Sequence, residues 1–243
     1  MGGVRFGIAC VGMVFSVAAS GAEGRAPVDV ISSGADAVSV TLYGHASLRF
    51  SYKGLLLYVD PVSEFVLDGK LEKADLILVT HDHDDHFDPA LIARLSKPGT
   101  EVVANGLCVN RLKRGHALAN GQRISVLGVG IEAVPAYNTS KEKLQFHPKG
   151  RDNGYVITLG SERVYVAGDT EDIPELSALK NIDVAFLPVN LPYTMTVAQL
   201  AHAIAMVSPR IAYPYHTGDT DSAKLAAAMG KVAKTEVRIR PMR

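Results

Sequence analysis

The chain predicts a mixed α+β domain running from residue 38 to the end at residue 243, and three observations predict it. Apolar runs closely spaced between Val38 and Val59 read as an antiparallel meander. After residue 75, strand-like and helix-like segments alternate. No internal repeat or linker divides the pattern, and a composition that is 47% hydrophobic suffices for one substantial core.

The first residues stand outside that domain. Arg5 precedes an apolar stretch from Phe6 to Ala19, and Ser20-Gly21-Ala22 supplies the small residues of a signal-peptidase site. Residues 1–22 therefore read as a secretory signal peptide, and the expected location is periplasmic or secreted. Cys10 leaves with the signal. Cleavage removes Arg5 as the only charged side chain, so 24 basic residues face 25 acidic ones and the mature charge is about −1. That balance argues against a nucleic-acid partner and leaves a small-molecule substrate as the expectation. No later segment approaches the ~20 apolar residues of a spanning helix, so no stable membrane insertion is expected after cleavage. Residues 23–37, rich in Gly, Ala, Ser and Asp, read as a loose leader.

Strands are expected at Val38 to Tyr43, Ala46 to Tyr52 and Leu55 to Val59, separated by short Gly-containing turns. Further strands follow at Leu76 to Thr80, Glu101 to Ala104, Arg123 to Leu127, Ile131 to Ala136 and Tyr155 to Leu159. The last are Val164 to Ala167, Val184 to Val189 and Arg210 to Tyr215. Helical periodicity appears at Pro89 to Leu95, Gly106 to Arg114, Val197 to Val207 and Ser222 to Met229. Asp88-Pro89 supplies an N-cap and a proline at the first helical position. Thr196 with Gln199 forms a capping box. Cys108 has no cysteine left to pair with, and it reads as a buried small hydrophobe rather than a nucleophile.

The chemistry concentrates behind the apolar run Asp75-Leu76-Ile77-Leu78-Val79. There Thr80-His81-Asp82-His83-Asp84-Asp85-His86 places three imidazoles and a spaced carboxylate in a strand-to-helix loop. His81 and His83 alternate and project to one side if strand geometry persists, while Asp85 and His86 approach a neighbouring point from the turn. This arrangement suits two adjacent metal ions. Asp82 and Asp84 read as exposed spacers. Two more candidates stand where strands end. Gly168-Asp169-Thr170 brings an aspartate able to place one oxygen on each of two cations, and His216-Thr217-Gly218-Asp219 brings a histidine before a turn.

Together these motifs resemble the metallo-β-lactamase-fold hydrolase superfamily, in the branch of ascorbate-6-phosphate lactonase-like and N-acylphosphatidylethanolamine phospholipase D-like enzymes. The resemblance covers essentially residues 38 to 240. It implies a four-layer αββα sandwich with the metals at one edge of the two sheets. It also implies that His81, His83, Asp85 and His86 form the first metal motif, Asp169 the bridging aspartate and His216 the last histidine. One run departs from the pattern. Members of the branch often carry a histidine directly after Pro-Ala-aromatic, but here Pro135-Ala136-Tyr137 leads to Asn138, and Asn is a poor transition-metal ligand. The run Phe146-His147-Pro148-Lys149-Gly150, within the long polar connection from Tyr137 to Gly154, supplies His147 as the substitute ligand. Asn138 is then a donor orienting a ligand or substrate.

The expected ligand sets are His81, His83 and His147 for one ion and Asp85, His86 and His216 for the other, with Asp169 on both. Asp85 and Asp169 are the expected catalytic carboxylates. Imidazole and carboxylate without thiolate suit zinc, with manganese or iron as alternatives. His202 and His116 read as exposed. For His45, in Tyr43-Gly44-His45-Ala46, a place at the site and a turn histidine with a backbone partner are both open. Asp60-Pro61 resembles an element supporting the ligands. The expected function is an exported binuclear hydrolase using a metal-bound hydroxide on a small ester, lactone, amide or phosphodiester. A phosphodiesterase is the rival if Lys141, Lys143, Lys149 and Arg151 line the pocket. A metal-binding accessory protein without turnover is the other.

Overall fold

The structure, a computed structural model, describes residues 26–34, 36–66, 71–230, 232 and 234–242. The signal-peptide reading of residues 1–22 lies outside them. Four antiparallel strands come first, β1 (Val28–Ser32), β2 (Val38–Gly44), β3 (Ser47–Tyr52) and β4 (Leu55–Val59). The sheet continues in parallel through β5 (Leu76–Val79), α1 (Pro89–Leu95), β6 (Glu101–Ala104), α2 (Gly106–Leu112) and β7 (His116–Ala117).

The second half repeats this plan. An antiparallel set, β8 (Arg123–Val126), β9 (Val129–Ala136), β10 (Asp152–Leu159) and β11 (Glu162–Val166), gives way to parallel β12 (Val184–Pro188), α3 (Val197–Val207), β13 (Ile211–Tyr215), α4 (Ser222–Met229) and β14 (Glu236–Val237). Both sheets have seven strands among the described residues, in the orders β1-β2-β3-β4-β5-β6-β7 and β14-β13-β12-β11-β10-β9-β8. The repetition is one of topology, not of sequence.

The alternation of side chains sorts the apolar residues into three layers of core. Leu76 and Leu78 of β5 point between the sheets with Phe50, Ile157 and Phe186. Ile77 and Val79 point outward under α1 and α2, against Leu91, Ile92 and Cys108. In the same way Ala185 and Leu187 of β12 face Leu200, Ile204 and Leu225 of α3 and α4. Strands buried on both faces read as continuous apolar runs for this reason. The result is the expected αββα sandwich. Asp88 caps α1 through Leu91 N, with Pro89 behind it, and both bonds of the Thr196–Gln199 capping box are present on α3. Among the described residues, no helix is long and apolar enough to cross a membrane.

Three local expectations are corrected. Residues 28–32 are not a loose leader but edge strand β1. Its pattern is inverted, with Val28 and Val30 exposed while Asp29 turns inward to Tyr213 and Arg240. β10 starts at Asp152, which shortens the connection after β9 to residues 137–151 and leaves in it a 3-10 turn, Lys141–Lys143. The helix after Gly106 ends at Leu112, because Lys113 turns left-handed as its C-cap.

Candidate metal centre

The cluster members follow the carboxyl ends of strands, except His147, which a long connection brings to them, so the fold gathers them at one edge of the sandwich. His81, His83, Asp85 and His86 follow β5, His147 lies in the connection after β9, Asp169 follows β11 and His216 follows β13. Gly168 makes the approach of Asp169 feasible. At φ +65, a Cβ there would stand 2.8 Å from Asn153 O and 3.2 Å from Thr80 Cβ.

A buried carboxylate prepares two of the imidazoles. Asp60 accepts hydrogen bonds from Thr80 N at 2.8 Å, Thr80 Oγ1 at 2.6 Å and His86 Nδ1 at 2.8 Å. With its one proton committed to Asp60, the Thr80 hydroxyl accepts from His81 Nδ1 at 3.0 Å. Both rings are thereby fixed with Nδ1 protonated and the lone pair on Nε2, which in His81 meets His83 Nδ1 at 3.1 Å and in His86 has no partner.

The donor atoms converge. His81, His83 and His147 present donor atoms within 4.8 Å of one another, and so do His81, His86 and Asp169. Asp85, His86 and His216 form a third such group, which His45 joins. Asp169 stands among them: Oδ1 is 3.4 Å from His86 Nε2, and Oδ2 is 3.4 Å from His147 Nε2 and 3.3 Å from His216 Nε2. Burial lowers the pKa of His81 well below its ordinary value and that of His147 to about 4, which keeps both imidazoles neutral. For His216, burial acts in the same direction but is outweighed by Asp169 and Asp85, which push its pKa up to about 10. Burial also works against ionisation of Asp169, yet His216 and His86 hold its carboxyl well below the usual range.

Whether these residues fit metal ions is decided by their unpaired atoms. His86 Nε2, His147 Nε2, His216 Nε2 and Asp169 Oδ1 are buried without a hydrogen-bond partner. Leaving a buried polar atom unsatisfied costs about 1–3 kcal/mol, and cations among the four would satisfy all of them. An oxygen and nitrogen donor set without thiolate fits zinc, manganese or iron.

The remaining readings sort by position. His45 is at the site, its Nε2 2.9 Å from Asp85 Oδ2. Asn138 is buried beside His147, with Nδ2 3.3 Å from His147 Nδ1 and donating to Tyr193 O at 2.7 Å. His116 and His202 are exposed, paired with Glu101 and Asp172. Asp84 is exposed, but Asp82 is half-buried, because Arg111 packs over Phe87 and reaches the Asp82 carbonyl and carboxylate. Burial raises the Cys108 thiol pKa, as suits an inert core residue. Two supporting residues escape sequence reasoning. Asn190, at the end of β12, stands 3.3 Å from His216 Nδ1, and Glu171, two residues past Asp169, binds the loop of His147. Their only sequence signal is a polar side chain just after a strand.

Comparison with known proteins agrees with this geometry. The family model described as a β-lactamase superfamily domain matches residues 39–216. A UPF0173 metal-dependent hydrolase of Methanopyrus kandleri is 30% identical over 198 residues, covering 74% of this chain and 84% of the relative. Its counterpart in Thermococcus kodakarensis is 31% identical over 193 residues, with the same coverage. A solved Parabacteroides distasonis structure, assigned as a metal-dependent hydrolase, superposes with a TM-score of 0.86 at 46% identity, covering 90% of this chain and 100% of that one. The metallo hydrolase Igni18 of Ignicoccus hospitalis has the same fold, with a TM-score of 0.70 at 24% identity over 85% of this chain and 96% of its own. The chain belongs to the β-lactamase superfamily domain family, within the metallo-β-lactamase-fold superfamily of metal-dependent hydrolases.

Proposed function

We propose that the chain is a binuclear hydrolase, exported, with zinc as its default metal, acting on a small ester, lactone, amide or phosphodiester. The observation that carries this reading is the convergence of three unpaired buried imidazole nitrogens, of His86, His147 and His216, on Asp169, whose own Oδ1 is likewise unpaired. His81, His83 and His147 would hold one ion and Asp85, His86 and His216 the other, with Asp169 between them. When bound, such ions lower the pKa of water towards neutrality and polarise the carbonyl or phosphoryl oxygen under attack. Asp60 and Thr80 keep the His81 and His86 rings in the ligating tautomer. Asp85, with a side chain 44% exposed, marks the side open to solvent and substrate.

A phosphodiester is favoured within this class by one residue. Of the basic side chains in the loop, Lys143 pairs with Glu171, Lys149 with Glu175 and Arg151 with Asp152, and it is Arg151 that stands beside the cluster, with Nη2 3.4 Å from His83 Nε2. Metal analysis of reconstituted protein should find close to two divalent ions per chain. A panel of ester, lactone, amide and phosphodiester substrates should show turnover that chelation abolishes and zinc or manganese restores. Protein that takes up no metal, or two ions without turnover on any member of the panel, would defeat the enzymatic reading. Export is tested separately: protein recovered from the periplasm or medium of a bacterial host should lack residues 1–22.

A further inference from the structure

Asp85 is the most open of the three residues assigned to the second ion. Its side chain is 44% exposed, while His86 and His216 are buried. An aspartate with water on one side has several rotamers to choose from, and only some point at the ion. His45 removes that freedom. Its Nε2 lies 2.9 Å from Asp85 Oδ2, and that same oxygen stands 3.6 Å from His216 Nε2 and 3.9 Å from His86 Nε2. The oxygen that His45 contacts is therefore the one turned towards the other ligands.

His45 is itself held on three sides. Its ring stacks on Phe65 at 4.8 Å and 8° between planes, and meets the His216 ring at 3.7 Å. Its carbonyl accepts from His216 N at 2.8 Å. Its φ of 50 is left-handed, a conformation that residues with a Cβ rarely adopt and that persists only when the surroundings impose it. The turn between β2 and β3 thus carries an imidazole to a proposed ligand of the second ion that follows β5 of the same sheet.

We propose, on the reading that the centre holds two ions, that His45 is a positioning residue of the second: its Nε2–H donates to Asp85 Oδ2 and fixes the carboxylate in the ligating rotamer. Three variants test this. His45→Phe keeps a ring between Phe65 and His216 but removes the donor, His45→Ala removes both, and His45→Gln offers an amide N–H in place of the imidazole. Zinc titration against a chromogenic chelator should show the first ion bound as in wild type. The second should bind about 10- to 100-fold more weakly in His45→Phe and His45→Ala, the loss typical of deleting an outer partner of a ligand. His45→Gln should recover part of that loss, and excess zinc should restore turnover in all three. Far-ultraviolet circular dichroism of the metal-free proteins checks the fold, and should His45→Ala misfold, the pair His45→Phe and His45→Gln decides alone. Unchanged affinity for the second ion, or equal weakening of both ions, overturns the role of His45 while leaving the two-ion reading intact. Wild-type protein binding fewer than two ions overturns both.

Discussion

Asp169 concentrates the electrostatic problem of this protein in one side chain. It is 2% exposed, its carboxyl is held ionised, and its oxygens stand 3.3–3.4 Å from three imidazoles on three different segments. Such an anion is tolerable only where positive charge faces it, and bound divalent cations would be the largest such charges. Asp169→Asn keeps the shape and removes the charge, so it separates metal binding from folding. We predict metal content well below that of wild type and turnover reduced roughly 100-fold or more, beyond what losing an outer partner of a ligand costs. Wild-type occupancy and rate in this variant, measured by elemental analysis and steady-state kinetics, would rule out a bridging role.

The connection between β9 and β10 depends on one buried ion pair for its shape. Glu171 accepts from Lys143 Nζ at 2.8 Å, from the backbone of Thr139 and Ser140, and from Gln199 of α3, while Lys143 also donates to Thr194 O. Removing one member of such a pair leaves the other buried and uncompensated, at about 3–5 kcal/mol. Lys143→Met should therefore lower stability by about that amount and weaken the ion bound by His147, with Asp85, His86 and His216 spared because they lie on other segments. Equal loss of both ions, or none, would show that the loop is held by other means. Tyr165 of β11 provides a contrast. Its hydroxyl is buried in the core layer outside the second sheet with no partner, so Tyr165→Phe should leave the melting temperature unchanged or raise it. The elements themselves were legible where the apolar run is continuous, as along β5 and β12, or where it follows the helical period, as along α3. β1 was not, because its valines face water and its aspartate faces the arginines. β7 and β14 are two-residue strands, ordered by their neighbours rather than by any pattern of their own. The clustering at the strand ends could be read from His81 to His216, since a histidine or aspartate directly after an apolar run has few structural reasons to be there. His45, Asn190 and Glu171 could not be assigned, because their roles arise from contacts between distant segments.

The proposed ligands also decide how the two halves of the sandwich would depend on a bound metal. His81, His83, Asp85 and His86 hang from the first sheet, whereas His147, Asp169 and His216 hang from the second. Each proposed ion would therefore be held from both sheets and would tie them together at one edge, while the apolar layer between them runs independently from Phe50 to Phe186 and Ile157. Two consequences follow. The metal-free protein should remain folded, because the three core layers do not involve the ligands. It should nevertheless be less stable, because the unpaired atoms of His86, His147, Asp169 and His216 stay buried together. Binding to the native state alone stabilises by about 2.7 kcal/mol at a free concentration 100 times Kd, and 1 kcal/mol moves the melting temperature by about 2–4 °C in a chain of this size. Chelation should thus lower the melting temperature by roughly 5–10 °C for each ion removed from such a site, with the far-ultraviolet spectrum unchanged, and zinc should reverse the shift. A metal-free protein that melts with the holoprotein would mean that the ions do not bridge the sheets. One that loses its secondary structure on chelation would mean that the core between the sheets is not self-sufficient.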